Sequence, residues 1–91
     1  MIDKKTLKQA IKKFGKLNQI DKLQEEAQEL ALALHQFKCP TKNKKQALKN
    51  IYSELADMTI MMSYVSFLFN SKKINKEIKR KMKKLRILIK T

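Results

Sequence analysis

EEAQE at residues 25–29 and ELAD at residues 54–57 hold five of the eight acidic residues in a chain with 22 lysines and arginines. Within each window, two acids stand three residues apart, a spacing that puts them on one face of a helix, about 5–6 Å from each other. Like charges at that spacing repel, so the arrangement is better tolerated where a cation lies between them. The windows therefore predict two helices, each presenting a pair of carboxylates on one face.

The face of the second helix that carries Glu54 and Asp57 continues into an apolar stripe. At about 100° per residue, the stripe consists of Met61, Val65 and Leu68. Carboxylates that point toward a core are costly unless they are paired or bind a metal. Mg²⁺ takes oxygen ligands and often combines a few carboxylates with substrate phosphates. A metal site is therefore one interpretation of these acids, and the alternative, which periodicity alone favours, is that they only pair with neighbouring lysines.

The first acidic window lies beside an apolar helix face that we expect to pack on the core. This face consists of Ile20, Leu23, Ala27, Leu30 and Leu34. Glu26 and Glu29 are predicted to border the core, and Glu25 to point away from it.

The order EExxE, a spacer from Leu30 to Ser53, and ExxD resembles the signature of the all-α nucleoside triphosphate pyrophosphohydrolases. This superfamily includes MazG, the dimeric dUTPases and the phosphoribosyl-ATP pyrophosphohydrolases. The chain is similar above all to the small MazG-like proteins, many of them encoded by phages, over roughly residues 15–70. The resemblance implies hydrolysis of a nucleoside triphosphate to the monophosphate and pyrophosphate, with Mg²⁺ as cofactor and Mn²⁺ as a substitute.

The resemblance also implies roles for individual residues. The expected metal ligands are Glu26, Glu29, Glu54 and Asp57. Glu25 completes the expected catalytic set as a support for the ligands or an activator of water. Gln19 and Lys22 match upstream positions of MazG-like proteins and are expected to bind substrate. For Lys22, the alternative is a simple ion pair with Glu26, four residues further on.

Two departures from the family bear on the substrate. Phosphoribosyl-ATP enzymes carry a Tyr-His pair close behind the motif Asp, where this chain has MTIM at residues 58–61, so that substrate is not expected. Larger MazG proteins place an Asn seven residues after the motif Asp, where this chain has Tyr64. The selectivity for base and sugar therefore stays open among dUTP, dCTP, a damaged nucleotide and broad specificity.

The composition favours an all-α fold, because one glycine and one proline in 91 residues leave little material for the turns between strands. A domain of this size buries only a modest part of its surface. We therefore expect a single domain over residues 1–91, a helical bundle of about four helices completed by oligomerisation as a homodimer or homotetramer. The resemblance implies the same kind of assembly.

A glycine, a proline and a polar loop indicate where the helices begin and end. We expect them at residues 3–14 before Gly15, 17–38 before Cys39 and Pro40, about 44–70 after a polar loop at 41–45, and 72–90. Residues 58–69 are apolar nearly all round and are too few to span a bilayer, so we expect them at the centre of the monomer or at a subunit interface.

The C-terminal helix is expected to be basic and amphipathic, with ten of the 22 basic residues between Lys72 and Lys90. Its apolar line consists of Ile74, Ile78, Met82, Leu85 and Ile89. Docking of this line on the bundle is favoured over binding to nucleic acid or to an anionic membrane surface. In an enzyme, one or two of Lys83, Lys84 and Arg86 would instead reach the triphosphate, and we select Lys83 and Arg86 as substrate-binding candidates.

The main rival function is a basic helical protein that binds nucleic acid or regulates without catalysis. Nucleic acid is the less favoured partner, and no membrane partner is expected. Residues 1–5 carry charges without a following apolar segment, so a signal peptide is not expected and the cytoplasm is the predicted location. The single Cys39 provides no internal disulfide. We expect His35 to be partly exposed and Tyr64 to pack in the core.

Overall fold

The computed structural model describes residues 2–40 and 43–91, and all regular structure in these ranges is helical. The helices are α1 (Lys4–Phe14), α2 (Lys16–Lys38), α3 (Lys44–Ser63), α4 (Val65–Leu68) and α5 (Ser71–Lys90). The predicted all-α class is therefore confirmed for the described residues. Of the predicted loop at 41–45, Thr41 and Lys42 lie outside the described residues. Within the described ranges, no helix combines the length and the apolar character needed to cross a bilayer.

Three helices begin at short polar side chains that accept hydrogen bonds from backbone N–H groups of the first turn. The carboxylate of Asp3 accepts from the N–H of Lys5 at 3.0 Å, and the side chain of Asn43 accepts from the N–H of Lys45 at 3.0 Å. Asn70 caps α5 in the same way. These caps satisfy donors that have no partner inside the helix and so fix where α1, α3 and α5 start.

Gly15 separates α1 from α2. Its φ of 90° lies in a region that residues with a side chain rarely adopt, and its N–H donates to the carbonyl of Ile11 at 2.8 Å. The chain can therefore end one helix and begin the next within a single residue, as the sequence predicted.

The α2–α3 hairpin forms the main body of the chain, with more packing between these helices than between any other pair. Ala33 on α2 and Ala47 on α3 are buried, and their small side chains allow the two helices to approach closely. Near the connecting loop, the ammonium of Lys44 donates to the carbonyl of Phe37 and lies 4.9 Å from the centroid of its ring.

A small apolar core closes the end of this hairpin that is remote from the loop. Its buried members are Leu7, Met61, Tyr64 and Leu68. Partly buried side chains of α1, α2 and α4 surround it, namely Ala10, Ile11, Ile20, Leu23 and Phe67. Tyr64 therefore packs in the core, as expected from the sequence.

The prediction of one helix to Asn70 is wrong, because α3 ends at Ser63 and the separate single turn α4 follows Tyr64. The hydroxyl of Thr59 donates to the carbonyl of Leu55 at 2.7 Å, and that of Ser63 donates to the carbonyl of Thr59 at 2.9 Å. Such hydrogen bonds back to the preceding turn tend to bend a helix.

The apolar segment at residues 58–69 is only partly buried within one chain. Ile60, Met62 and Phe69 are exposed, whereas Met61 and Leu68 are buried. The reason is that α1 and α2 pack on the side of this segment that carries Met61 and Leu68, whereas the side of Ile60, Met62 and Phe69 stays exposed among the described residues.

The expected orientation of α2 is only partly correct, because Ile20 and Leu23 pack against the core but the rest of the predicted face does not. Its buried residues are Gln19, Glu26 and Ala33, which are spaced seven apart and face α3. Leu34, at the end of the predicted core face, is 45% exposed. Glu26 therefore lies inside the interface between the two helices, where a position at its border was expected.

Helix α5 does not dock on the rest of the chain, so the expectation that its apolar line packs on the bundle is wrong for a single copy. It has no buried residue. The radius of gyration is 16.4 Å, against about 12 Å for a compact domain of this length. The bundle within one chain thus consists of α1, α2 and α3, closed by the short α4.

Candidate metal centre

Four carboxylates meet between α2 and α3. Glu26 and Glu29 come from α2, and Glu54 and Asp57 come from α3. One oxygen from each lies within 4.8 Å of the corresponding oxygen of every other. The i, i+3 spacing on each helix and the antiparallel pairing of the helices bring the two predicted pairs together, and we call this group the carboxylate cluster.

The interior of the carboxylate cluster contains oxygens with no partner. Glu26 is only 5% exposed, and its Oε2 and the Oε2 of Glu54 are sealed from solvent. Neither oxygen has a hydrogen-bond partner among the described residues. A buried polar group without a partner costs about 1–3 kcal/mol, and more if it is charged. A cation between the helices would remove this cost, and an all-carboxylate donor set suits a hard divalent ion without distinguishing Mg²⁺ from Mn²⁺.

The cluster is locally negative although the whole chain carries a net charge of +14. Glu29 is exposed, and its pKa is raised, first by the negative charge of Glu26, then by partial desolvation of the carboxylate and by the charge of Glu54. The repulsion arises inside the cluster itself, so a bound cation would relieve it directly.

Lys22 is the one cation paired with the cluster among the described residues. Its Nζ lies 3.2 Å from the Oε1 of Glu26, and this contact is the main cause of the raised pKa of Lys22. The alternative expectation, that the acids only pair with neighbouring lysines, is therefore met by one oxygen of Glu26. The other three acids of the cluster have no ion pair in the described ranges.

Lys22 also borders a pocket of about 310 Å³ between α1, α2 and α3. The pocket is lined by Ala10, Phe14, Asn18, Gln19, Lys22, Ile60, Met61 and Tyr64. Gln19 is 7% exposed and lies in the wall of this pocket. The structure thus places both predicted substrate-binding residues of α2 at one pocket, next to the carboxylate cluster.

A second pocket, of about 160 Å³, lies on the loop side of the cluster. Glu29 and Glu54 form part of its wall, together with the amides of Gln36 and Asn50. Sequence reasoning missed both amides, although a signal was present. Asn50 precedes Glu54 by four residues and Gln36 follows Glu29 by seven, so each shares a helix face with an acid of the cluster.

The remaining predicted site residues lie outside the cluster. Glu25 is exposed, as expected, and its charge contributes to the raised pKa values of Lys22 and Glu29. Lys83 and Arg86 are exposed on α5, and neither forms an ion pair with the cluster.

No family model, no curated protein and no solved structure matches this chain. Membership of the MazG-like superfamily therefore stays a prediction from the two acidic motifs and their order. The geometry of the cluster is an independent observation that any functional assignment must explain.

Proposed function

We propose that the chain is a divalent-metal-dependent nucleoside triphosphate pyrophosphohydrolase, which adds water to a (deoxy)nucleoside triphosphate and releases the monophosphate and pyrophosphate. The observation that carries the proposal is the carboxylate cluster, in which two buried oxygens lack a partner. Such a cluster is costly in a protein that has no use for a cation. The motif resemblance adds the reaction class.

Glu26, Glu29, Glu54 and Asp57 are the residues that would hold the metal. A bound Mg²⁺, or Mn²⁺ in its place, would neutralise phosphate oxygens and stabilise the charge that develops on the leaving pyrophosphate. The carboxylates of α2 and α3 would hold such an ion between the two helices, which pack together at the buried Ala33 and Ala47.

Lys22 is the candidate for direct contact with the triphosphate. Its side chain is 51% exposed while its Nζ touches Glu26, so the ammonium lies between the pocket and the cluster. A substrate phosphate in this position would receive a charge-assisted hydrogen bond from Lys22.

The pocket of about 310 Å³ is the candidate site for the nucleoside. Its size falls at the lower end of the roughly 300–1,000 Å³ of small-molecule pockets, and it combines apolar walls with few polar groups. The amide of Gln19 would offer both a donor and an acceptor to a base or sugar, and Phe14 and Tyr64 would offer aromatic surface.

Hydrolysis releases a proton, and Glu25 is the candidate to accept it. Its carboxylate is exposed and close enough to Lys22 and Glu29 to affect the pKa of each. It has no place among the four ligands, so it stays available to the attacking water.

A homodimer or homotetramer would complete the fold. Supporting this assembly, α2 and α3 expose large apolar side chains in a single copy, among them Leu34, Tyr52, Leu55 and Met62. Soluble monomers rarely expose large contiguous apolar surfaces. A cytoplasmic location, and a host-cell one if the chain is phage-encoded, stays a prediction from the sequence.

Pyrophosphate release from a panel of canonical and modified nucleoside triphosphates tests the proposal, with Mg²⁺, with Mn²⁺ and with EDTA. We expect metal-dependent release, with the preferred nucleotide identifying the substrate. A folded chain that releases no pyrophosphate from any nucleotide would contradict the proposal. If that chain also binds DNA or RNA with a steep dependence on salt, the rival nucleic-acid function takes its place.

A further inference from the structure

Helix α5 has two chemically distinct faces. At about 100° per residue, its apolar line from Ile74 to Ile89 occupies an arc of about 80°. Eight of its basic residues lie on the other side of the helix, and Lys81 and Arg86 stand at the two edges of the apolar line. Ile87 is the exception in the opposite sense, an apolar residue in the middle of the basic face.

The apolar face has no cover within the chain. Met82 is 44% exposed, Leu85 46% and Ile89 75%. Since α5 buries no residue, its apolar face contributes nothing to the core that holds α1 to α4 together.

The charge of α5 is unbalanced as well. Glu77 is its one acid, and it bonds to Arg80 at 2.8 Å. Lysines follow each other at i, i+4, as in Lys72 and Lys76, and such pairs destabilise a helix. The first turn has no acidic residue to favour the positive end of the helix dipole. An anionic surface along the basic face would relieve both effects.

We propose that α5 lies flat on an anionic lipid surface, with its apolar face at the boundary of headgroups and acyl chains and its lysines and arginines against lipid phosphates. One partner then satisfies both faces. Nucleic acid would bind the lysines but leave Met82 and Leu85 in water, and pairing with α5 of a second copy would bring two strongly positive helices together.

This proposal revises the expectation of no membrane partner and does not depend on the catalytic proposal. Helix α5 is too charged to cross a bilayer, and surface binding needs no such crossing. It places the carboxylate cluster, carried by α2 and α3, outside the lipid layer.

Co-sedimentation of the full chain with large vesicles tests the proposal. One set consists of phosphatidylcholine with phosphatidylglycerol, the other of phosphatidylcholine alone. We expect binding to the anionic vesicles at least about tenfold tighter than to the neutral ones, weakening as salt is added. Equal binding to both sets, or no binding to the anionic set, would overturn the proposal.

A double variant, Met82→Gln with Leu85→Gln, separates lipid insertion from simple charge attraction. We expect it to bind anionic vesicles at least about tenfold more weakly, because it removes apolar surface and keeps every charge. The matched control is Ile87→Gln, the same kind of change on the basic face, which should bind within about twofold of the parent chain. Both variants should keep the core, since none of these side chains is buried.

Other partners give different results, each of which overturns the proposal. Unchanged vesicle binding by the double variant would show charge attraction alone. Absent vesicle binding together with salt-sensitive binding to DNA or RNA, equal in the double variant, would assign the basic face to nucleic acid. Absent vesicle binding with a loss of oligomeric mass in the double variant would assign the apolar face to a second copy.

Discussion

At the residue scale, Glu26 shows that the interface between α2 and α3 contains a charged group that the packing of the two helices does not satisfy. One of its carboxylate oxygens pairs with Lys22, and the other is buried without a partner among the described residues. A structural ion pair would satisfy the carboxylate more fully or leave it in water. A metal ion bound between the helices would supply the missing partner of this oxygen.

Glu29→Gln should abolish catalysis and leave the fold intact. Even the outer partners of a metal site are worth about 10–100-fold, so loss of a ligand should reduce pyrophosphate release by more than about 100-fold. The matched control is Asp21→Asn, which removes an exposed acid of the same helix that lies outside the cluster. Full metal-dependent activity in the Glu29 variant would exclude Glu29 as a ligand.

The stability of the metal-free chain should rise on acidification from neutral pH. Glu29 has a folded pKa above its ordinary value of 4.5, so the stability linked to its protonation is fully present below 4.5 and is lost as the pH rises through the folded pKa. Asp3 acts in the opposite direction, but only below its ordinary value of 3.8, because hydrogen bonds from Thr6 and from the N–H of Lys5 lower its pKa.

Thermal melts in EDTA across the range from neutral pH to 4.5 measure this effect. The melting temperature should increase toward the acidic end, and both Glu29→Gln and saturating Mg²⁺ should flatten the slope. A slope that persists unchanged in the Glu29 variant would show that another group produces it.

At the element scale, local signals in the sequence predicted the helices well. Gly15 and Pro40 end α1 and α2 within a residue of the expected positions, because each acts through its own backbone geometry. The break between α3 and α4 at Tyr64 was not predicted, because the sequence has no glycine or proline at that point. Spacing placed the acids in pairs on two helix faces, and the family resemblance selected the four as ligands. Gln36 and Asn50 share helix faces with these acids, but their position in one pocket depends on how α2 is registered against α3.

The caps of α3 and α5 should differ in their effect on stability. Asn43→Ala removes the acceptor for the first N–H groups of α3 and should lower the free energy of unfolding by about 1 kcal/mol. Asn70→Ala makes the same change at α5, which buries no residue, and should reduce helicity without shifting global unfolding.

Circular dichroism with urea denaturation separates the two outcomes in matched variants. An equal loss of unfolding free energy in both would mean that α5 folds cooperatively with the core.

At the scale of the whole molecule, a single chain leaves much apolar surface exposed. The radius of gyration of 16.4 Å reflects the undocked α5, and α2 and α3 expose large apolar side chains as well. The predicted apolar face of α2 was assigned to the chain's own core, but only its first part, Ile20 and Leu23, packs there, and α3 covers the stripe of Gln19 and Glu26. Sequence periodicity identifies an apolar face and does not say which copy of the chain covers it.

Leu34→Gln should therefore shift the chain toward monomer. Sedimentation equilibrium of the parent should give two or four times the chain mass of 10.7 kDa, and the variant should dissociate at higher concentration than the parent. Leu17→Gln, the same substitution on an exposed position of α2 outside the apolar line, is the control. A parent chain that stays monomeric at all concentrations would contradict the proposed assembly.

The most direct test of the metal centre is a calorimetric titration of Mn²⁺ and Mg²⁺ into the metal-free chain and into Glu54→Gln. Glu54 supplies one of the two buried oxygens without a partner, so its amide variant removes charge from the cluster with little change in volume. We predict saturable binding to the parent chain and at least about tenfold weaker binding to the variant, with unchanged helicity. No binding to the folded parent, or equal binding to both proteins, would contradict a metal centre between α2 and α3.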